Sequence, residues 1–555
     1  MTLTSRRTPR WVLALVACAL ATAVPLGAQE KSRGWTAYWE NDSFVLADGT
    51  DRNYTNGVRL VWAAGDAPAN TFRGRSEDWW RKLTPLLREG FVFTSSAWAA
   101  GQNFFTPSVI TVYDVDPLDR PYAGLAYFGL RIDATDNSRD LVTNTFVRRD
   151  AFTSTFQHSL EVDAGVLGPA AGARVFQTFA HVLRENRIPK GWHHQLPHEP
   201  FLSANTMWRG RFGTHFADLT PHGGVMLGTV QTYPYGGATL RLGWNMTDFP
   251  ALLIAPTAVP VRQRPEWEIA FVTGVEGRAM LRNAFVEGGL RPDSEGIDAT
   301  TWVGDWRWGF SVRLTEWRLT WTQVRRSSEV TGESPVAGVY HDYGSLTFGY
   351  EPGRTTSGDR EGTFLGAVVD GFLGRVLDGF LLEAGTGPAD ADPVERAQGS
   401  RVGVAKRVWG DRIALGGEVV GIGRELGPPP IPGGDHRDLF LVNKLITVRA
   451  IPFGRLGPGR LHVRAGGGSG LSKLQVTPGE PGERPGPCPA GLELDDRRRR
   501  CNRSETAAGW MLGAGYWFAM PTDRASLGID YSWNTIRLDE AIHFATVTLG
   551  FQWHP

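Results

Sequence analysis

Hydrophobic and polar residues alternate along most of this chain. In the segment Trp317 to Gln323, Trp317, Leu319 and Trp321 fall on one face and Arg318, Thr320 and Thr322 on the other. Val58, Leu60 and Trp62 alternate with Gly57, Arg59 and Val61, and Leu346, Phe348 and Tyr350 with Ser345, Thr347 and Gly349. Near the end, Ala545, Val547, Leu549, Phe551 and Trp553 alternate with Thr546, Thr548, Gly550 and Gln552. A period of two is that of a β-strand, whose successive side chains point to opposite faces. Runs of ~9–11 such residues, repeated and separated by turn residues, are the pattern of a transmembrane barrel. A soluble sandwich has the same period, so aromatic strand ends and an export signal must decide between them.

About twelve such segments begin near residues 34, 54, 98, 121, 154, 200, 218, 235, 266, 304, 316 and 341, and about eight more lie between Gly379 and Trp553. A polar Gly/Pro stretch beginning at Glu351-Pro352-Gly353 separates the two sets. The expected fold is all-β: a transmembrane antiparallel β-barrel of about twelve strands over residues 29–352, a linker over 353–365, and a second β-barrel of about eight strands over 366–555. One larger barrel of about twenty strands is the alternative. One segment breaks the β pattern. Ala170 to Glu185, after Gly168-Pro169, reads as a helix in a loop, with Val175, Phe179, Val182 and Leu183 as an apolar stripe. Gln177, His181 and Glu185 form a polar line on another face, and Pro189 lies beyond the helix end.

Composition agrees with a barrel. The 555 residues include Gly 68, Trp 21, Phe 28 and Tyr 12. The 58 basic residues balance the 58 acidic ones, which argues against a nucleic-acid binder. Arg6, Arg7 and Arg10, the apolar run from Trp11 to Ala23 and small residues up to Ala28 read as a signal peptide over residues 1–28. Leu15-Val16-Ala17-Cys18 resembles a lipoprotein box, but the apolar run continues past Cys18. Beyond residue 28 no run of about twenty apolar residues could span a membrane as a helix. Cys488 and Cys501 remain after cleavage, and in an oxidising compartment a disulfide closing a surface loop is expected. The run Arg497 to Arg500 inside that loop could contact phosphates, though such a run is more often solvated.

Three clusters could carry chemistry. Glu40-Asn41-Asp42 and Asp51-Arg52-Asn53-Tyr54-Thr55-Asn56-Gly57 offer oxygen ligands for a hard cation where the first two strands meet, and equally read as a solvated turn. In an extended strand Asn41 and Asp42 would face opposite ways. Asp119-Arg120-Pro121-Tyr122-Ala123-Gly124 reads as the start of a strand with an Asp–Arg pair. His193, His194, His198 and Glu199 suggest zinc, but Pro197 disfavours a helix that would align His194 with His198. No G-x-S-x-G nucleophile motif occurs, nor a convincing Walker or dinucleotide motif.

These blocks, together with Gly168-Pro169-Ala170-Ala171, Gln177-x-x-x-His181 and Gly191-Trp192-His193-His194-Gln195-Leu196, occur in one order. In that order they resemble the outer-membrane lipid A deacylase family (LpxR-type) over roughly residues 34–352. The resemblance implies a twelve-stranded barrel whose site lies between the wall and a loop helix. It implies Ca²⁺-dependent hydrolysis of an ester-linked acyl group, the 3′-acyloxyacyl group, of lipid A in lipopolysaccharide. His181 matches the family's general base, Gln177 a polar residue one turn before it, and Asn41, Asp42 and Thr55 residues around the cation. Glu185 is the nearest match to a functional Glu after the His, although its spacing is short and Asn186 sits as close. Asp114, Asp116 and Asp119 occupy a loop where relatives can carry basic residues. The implied protein is a monomer in the bacterial outer membrane. The contrasting reading is a non-catalytic barrel that is structural, lipopolysaccharide-binding or porin-like. The part beyond about Gly366 lies outside the resemblance and is similar only in general to small outer-membrane barrels.

Overall fold

A computed structural model of the chain describes residues 35–42, 53–64, 91–112, 114, 116–136, 153–184, 186–246, 263–264, 267–292, 294–314, 317–334, 336–350, 354–355, 380–391, 394–409, 412–425, 436–452, 459–477, 488, 491–495, 500–519, 525–538 and 541–553. The expected signal peptide, Glu185, Asp51, Arg52 and Arg497 to Arg499 lie outside the described residues.

Twelve antiparallel strands form the first sheet: β1 (Trp35–Asn41), β2 (Asn53–Ala64), β3 (Phe91–Thr106), β4 (Ala123–Asp136), β5 (Thr153–Leu167), β6 (Glu199–Gly213), β7 (Ala217–Gly228), β8 (Gln231–Trp244), β9 (Trp267–Ala279), β10 (Trp302–Leu314), β11 (Trp317–Arg326) and β12 (His341–Tyr350). Each pairs with its neighbours in sequence, and β12 pairs back on β1, with Trp35 opposite Tyr350, so the sheet closes. Expected strand starts hold to within a few residues except at β3, which begins at Phe91 rather than near 98. A bulge between Phe93 and Ser95 breaks the alternation there.

The second sheet has eight long strands: β13 (Phe380–Ala391), β14 (Val394–Trp409), β15 (Ile413–Glu425), β16 (His436–Ala450), β17 (Gly459–Thr477), β18 (Arg500–Ala519), β19 (Ala525–Arg537) and β20 (Ala541–Trp553). Pairing of β13 with β20 and of β17 with β18 closes it, and the three-residue strand Glu493–Asp495 adds to β18 as a ninth. Among the described residues no strand pairing joins the two sheets, so the single-barrel alternative is set aside. Cys488 and Cys501 are joined, with Cα atoms 5.5 Å apart, closing the expected loop. Arg500 is not a solvated phosphate contact: it is buried, with Nη1 donating to Gln475 Oε1 at 2.8 Å.

The sense of the alternation is inverted relative to a soluble protein. On β10, Trp302, Trp306 and Phe310 are exposed while Asp305, Ser311 and Arg313 are buried; on β11, Leu319 is exposed while Arg318 and Thr320 are buried. Charged residues thus fill the lumen and apolar ones face outward, as a barrel in a bilayer requires. Glu268 lies within 3.1 Å of Arg318, 3.6 Å of Arg313 and 3.7 Å of Arg241. In the second barrel Arg401 reaches Glu383, Glu418 and Asp530 at 3.4, 3.5 and 3.4 Å. Such cross-lumen pairs fill a barrel rather than leave a channel.

The loop after β5 holds the expected helix, in two pieces. Pro169–Ala171 is a 3₁₀ turn, closed by Gly172 at φ 71 whose N–H bonds to Pro169 O, and α1 follows at Ala173–Arg184. Gly172 adopts the left-handed conformation that ends one helical piece before the next begins. A second short helix, α2 (Ala284–Glu287), puts Phe285 on Phe105, their rings stacked 4.0 Å apart. No described helix is long and apolar enough to cross a membrane.

Removing Glu268 leaves buried guanidiniums without this carboxylate. Glu268→Ala is therefore expected to cost about 3–5 kcal/mol, read as a lower urea midpoint of the refolded protein in detergent micelles. An unchanged midpoint would contradict the lumen network described above.

Candidate active site

The outer wall at the α1 end is polar where the first strands meet. Trp39 and Val58 are exposed, which sets the outward faces of β1 and β2. Asn41 shares the Trp39 face and stands opposite Asn56. Asn56 Oδ1 accepts from Trp39 Nε1 at 2.8 Å and from Asn41 Nδ2 at 3.2 Å, and Asn41 Nδ2 also donates to Thr55 O at 3.1 Å. A bulge at Thr55 lets Tyr54 turn inward, where its hydroxyl donates to Glu40 Oε2 at 2.5 Å. Thr55 itself is buried, its hydroxyl 2.7 Å from that of Thr106. The opposite-face expectation for Asn41 and Asp42 does not apply, because β1 ends at Asn41 and Asp42 lies buried in a 3₁₀ turn.

The Asp119–Gly124 block builds the seat for α1. Asp119 Oδ2 accepts from Ser108 N and Oγ at 2.6 and 2.5 Å, and its Oδ1 accepts from Arg120 N at 2.7 Å. The expected Asp–Arg side-chain pair is replaced: fully buried Arg120 sends Nη1 to Glu329 Oε2 at 3.3 Å and lies over the Phe105 ring at 5.1 Å. Tyr122 packs against Trp192 with ring centroids 4.7 Å apart. A Cβ on Gly124 would stand 2.6 Å from that of Ala173, so glycine is what lets α1 approach the wall.

On α1 the polar line is buried. Ala173, Gln177, Thr178 and His181 are buried, whereas Phe176 is exposed and Val175 and Phe179 are half-buried. Val182, from the expected apolar stripe, is also buried, close to Gly421 and Gly423 of β15. Gln177 Oε1 accepts from Trp192 Nε1 at 2.8 Å. That bond fixes the amide orientation, and among the described residues Gln177 Nε2 has no hydrogen-bond partner. His181 is held twice by the turn after the helix: Asn186 N donates to His181 O at 2.8 Å, and His181 Nδ1 bonds to Arg187 O. A carbonyl can only accept, so Nδ1 carries a proton, and in the neutral ring the lone pair is on Nε2.

A path of contacts joins the two halves. Asn56 stands opposite Phe104 in register, Phe104 meets Trp192 edge-on at 6.3 Å, and Trp192 bonds Gln177, one helical turn from His181. The sequence assigns no individual role to Trp192 or Phe104, and to Asn56 only a share in the oxygen-rich cluster. Trp192 and Asn56 stood inside the recognised blocks, while Phe104 had no signal of its own.

His198 and Glu199 are engaged away from His193 and His194. His198 Nδ1 accepts from Ala170 N at 3.2 Å, and Glu199 accepts from Leu290 N and Arg291 N at 2.8 and 2.9 Å. His193 and His194 instead lie with tilted rings 4.2 Å apart beside Asp114 at the surface, their potential ligand atoms within 4.8 Å of one another. Of the other loop acids, Asp116 caps Leu118 N at 2.9 Å and Asp119 is structural as above.

Burial pushes the Glu329 carboxyl up, but Arg326 and Arg120 outweigh it and hold it below its ordinary value of 4.5. A depressed carboxyl stabilises the fold above its unfolded value and loses that contribution as pH falls through the folded one. Glu329→Gln is thus expected to lower the unfolding midpoint at neutral pH, with the deficit fading as the pH drops below about 4.5. A deficit independent of pH, measured by urea titration across that range, would contradict the pairing with Arg120.

The family model described as "Outer membrane protein LpxR" matches residues 13–351, more than half of the chain. Among solved structures, LpxR from Salmonella typhimurium is 17% identical, with a TM-score of 0.42, over 57% of this chain and 99% of that chain. Neisserial surface protein A (NspA) is 14% identical, TM-score 0.24, over 32% of this chain and 98% of that one. Ail, the attachment invasion locus protein of Yersinia pestis, is 15% identical, TM-score 0.21, over 31% of this chain and 94% of that one. No curated protein matches the chain.

Proposed function

Because the chain belongs to the LpxR family of outer-membrane proteins, we propose that it is a lipid A deacylase, hydrolysing the ester that carries the 3′-acyloxyacyl group. The observation that carries this reading is His181, tied through Nδ1 to the Arg187 carbonyl on a helix seated against the outer wall of the barrel. A site on the outer wall faces lipid rather than a lumen, which suits a substrate that is itself part of the membrane.

In the proposed reaction Nε2 of His181 takes a proton from water as the water oxygen attacks the ester carbonyl carbon. The acyl–oxygen bond then breaks, and the proton passes from His181 to the departing alkoxide of the sugar. Gln177 is placed one turn earlier with a fixed, buried amide donor, which suits either orienting the water or bonding the developing oxyanion. The carbonyl of Arg187 keeps the imidazole in the tautomer that can act as a base.

Ca²⁺ is the cofactor of this reading. Asn41, Asp42 and Thr55 would hold it: amide, carboxylate and hydroxyl oxygens are donors of the kind a hard cation takes, and the buried Asp42 supplies the negative charge. When bound, such an ion stabilises negative charge on an ester oxygen as a Lewis acid. Glu185 remains a candidate for orienting groups near His181, on the strength of its place in the sequence alone.

Mass spectrometry of lipid A from cells with and without the protein tests the proposal. Loss of one acyloxyacyl group is expected with the unmutated chain, slowed about 10²–10⁴-fold by His181→Ala. Asp42→Ala and chelation are expected to act alike and not add to one another. Unchanged lipid A with the unmutated, folded protein would favour the non-catalytic barrel.

A further inference from the structure

Glycines on the lipid-facing side of a barrel strand leave notches, and β15 has such a notch where α1 lies. Register puts Ser400, Gly421 and Val442 in one row across β14, β15 and β16, and Gln398, Gly423 and Phe440 in the next. These positions belong to the outward face, since Leu415 and Val404 further along the same faces are exposed. Lower on the wall, Ile446 and Val448 are exposed as well, as befits contact with lipid. At the α1 end the same wall is covered: Ser400, Phe440 and Val442 are buried.

What covers it is the helix that carries His181. α1 packs against β13, β14 and β15. Val182, the residue after His181, is fully buried, and a Cβ built on Gly423 would stand 2.5 Å from Val182 Cγ2 and 3.2 Å from Ile188 Cδ1. A Cβ on Gly421 would stand 3.1 Å from Val182 Cγ1. Helix and wall approach so closely only because both strand positions lack a side chain. The turn that holds His181 is involved too. Burial pushes the Arg187 guanidinium below its ordinary value; Asp438 of β16 attracts it, and Arg500 of β18 repels it.

We propose that the second barrel is a clamp for α1, its outer wall at Gly421, Gly423, Phe440 and Val442 pressing the helix onto the first barrel and so fixing the position of His181. Gly421 and Gly423 are positioning residues under this inference, acting through Val182 and Ile188. The kinetic part rests on the deacylase reading; the contact itself does not. Each sheet closes on itself, so a change on the outer wall of the second need not break the pairing of either.

A size exchange tests it. Gly423→Val should lower the turnover of lipid A deacylation about 10–100-fold while leaving KM nearly unchanged, since a displacement of about 1 Å at a reacting group has a cost of that order. Adding Val182→Ala in the same full-length chain should restore most of the rate. Gly417→Val is the control: it lies on the same face of β15, its nearest neighbour being Leu445 O at 3.9 Å, and it should behave as the unmutated protein. Heat-modifiable migration on gels should be normal for all three. A Gly423→Val chain with full turnover, or one that Val182→Ala fails to rescue, would overturn the proposal.

A second readout needs no activity. Val182→Cys combined with Gly423→Cys, oxidised in outer membranes, should keep the two barrels covalently joined after cleavage at a protease site inserted within residues 356–379. Free halves would overturn the clamp. Joined halves from a chain that leaves lipid A intact would sink the deacylase reading and leave the clamp standing.

Discussion

A strand edge in hydrocarbon has no water with which to satisfy its N–H and C=O groups, so a membrane-spanning sheet must close on itself. Both sheets here obey that constraint, β12 returning to β1 and β20 to β13. Closure then fixes the sense of every side chain. Apolar residues such as Trp306, Phe310 and Leu319 go outward, and the charges go into a lumen that must neutralise itself. Glu268 among three arginines and Arg401 among three carboxylates are what that neutralisation looks like. Buried pairs of this kind contribute little net stability but are costly to break, so they hold each barrel to one arrangement.

Against such a rigid wall a short helix can be seated accurately. α1 would be marginal alone at this length. It is fixed instead by Gly124 beneath Ala173, by Trp192 wedged between Phe104, Tyr122 and Gln177, and by the turn that bonds both the carbonyl and the ring of His181. Beside Ala173 and Val182 it buries the polar Gln177, Thr178 and His181, which folding alone does not favour. That local violation is of the kind expected where a surface serves chemistry.

The strands were legible because period two survives wherever one face meets lipid and the other a packed lumen. It failed at the start of β3, where a bulge between Phe93 and Ser95 puts two residues against one. The helix was legible in place but not in form, since nothing in periodicity says that Gly172 will turn left-handed and split it. Gln177 and His181 could be picked out by spacing and resemblance. The partner of His181 could not, because it is a backbone carbonyl and any residue would supply it. Arg120 was misjudged for another reason: its partner Glu329 lies far along the chain, and pattern reading favours neighbours such as Asp119. The docking of α1 on the second barrel was equally hidden, as glycine in a strand reads as weakness until something is seen to fill the notch.

In the proposed reaction His181 delivers water to an ester carbonyl. Hydrolysis of lipid A in oxygen-18 water tests it most directly, with both products analysed by mass spectrometry. Attack by activated water predicts one heavy oxygen in the released fatty acid and none in the hydroxyl left on the sugar. Heavy oxygen on the sugar, or an acyl chain moved to another lipid without any free acid, would contradict it.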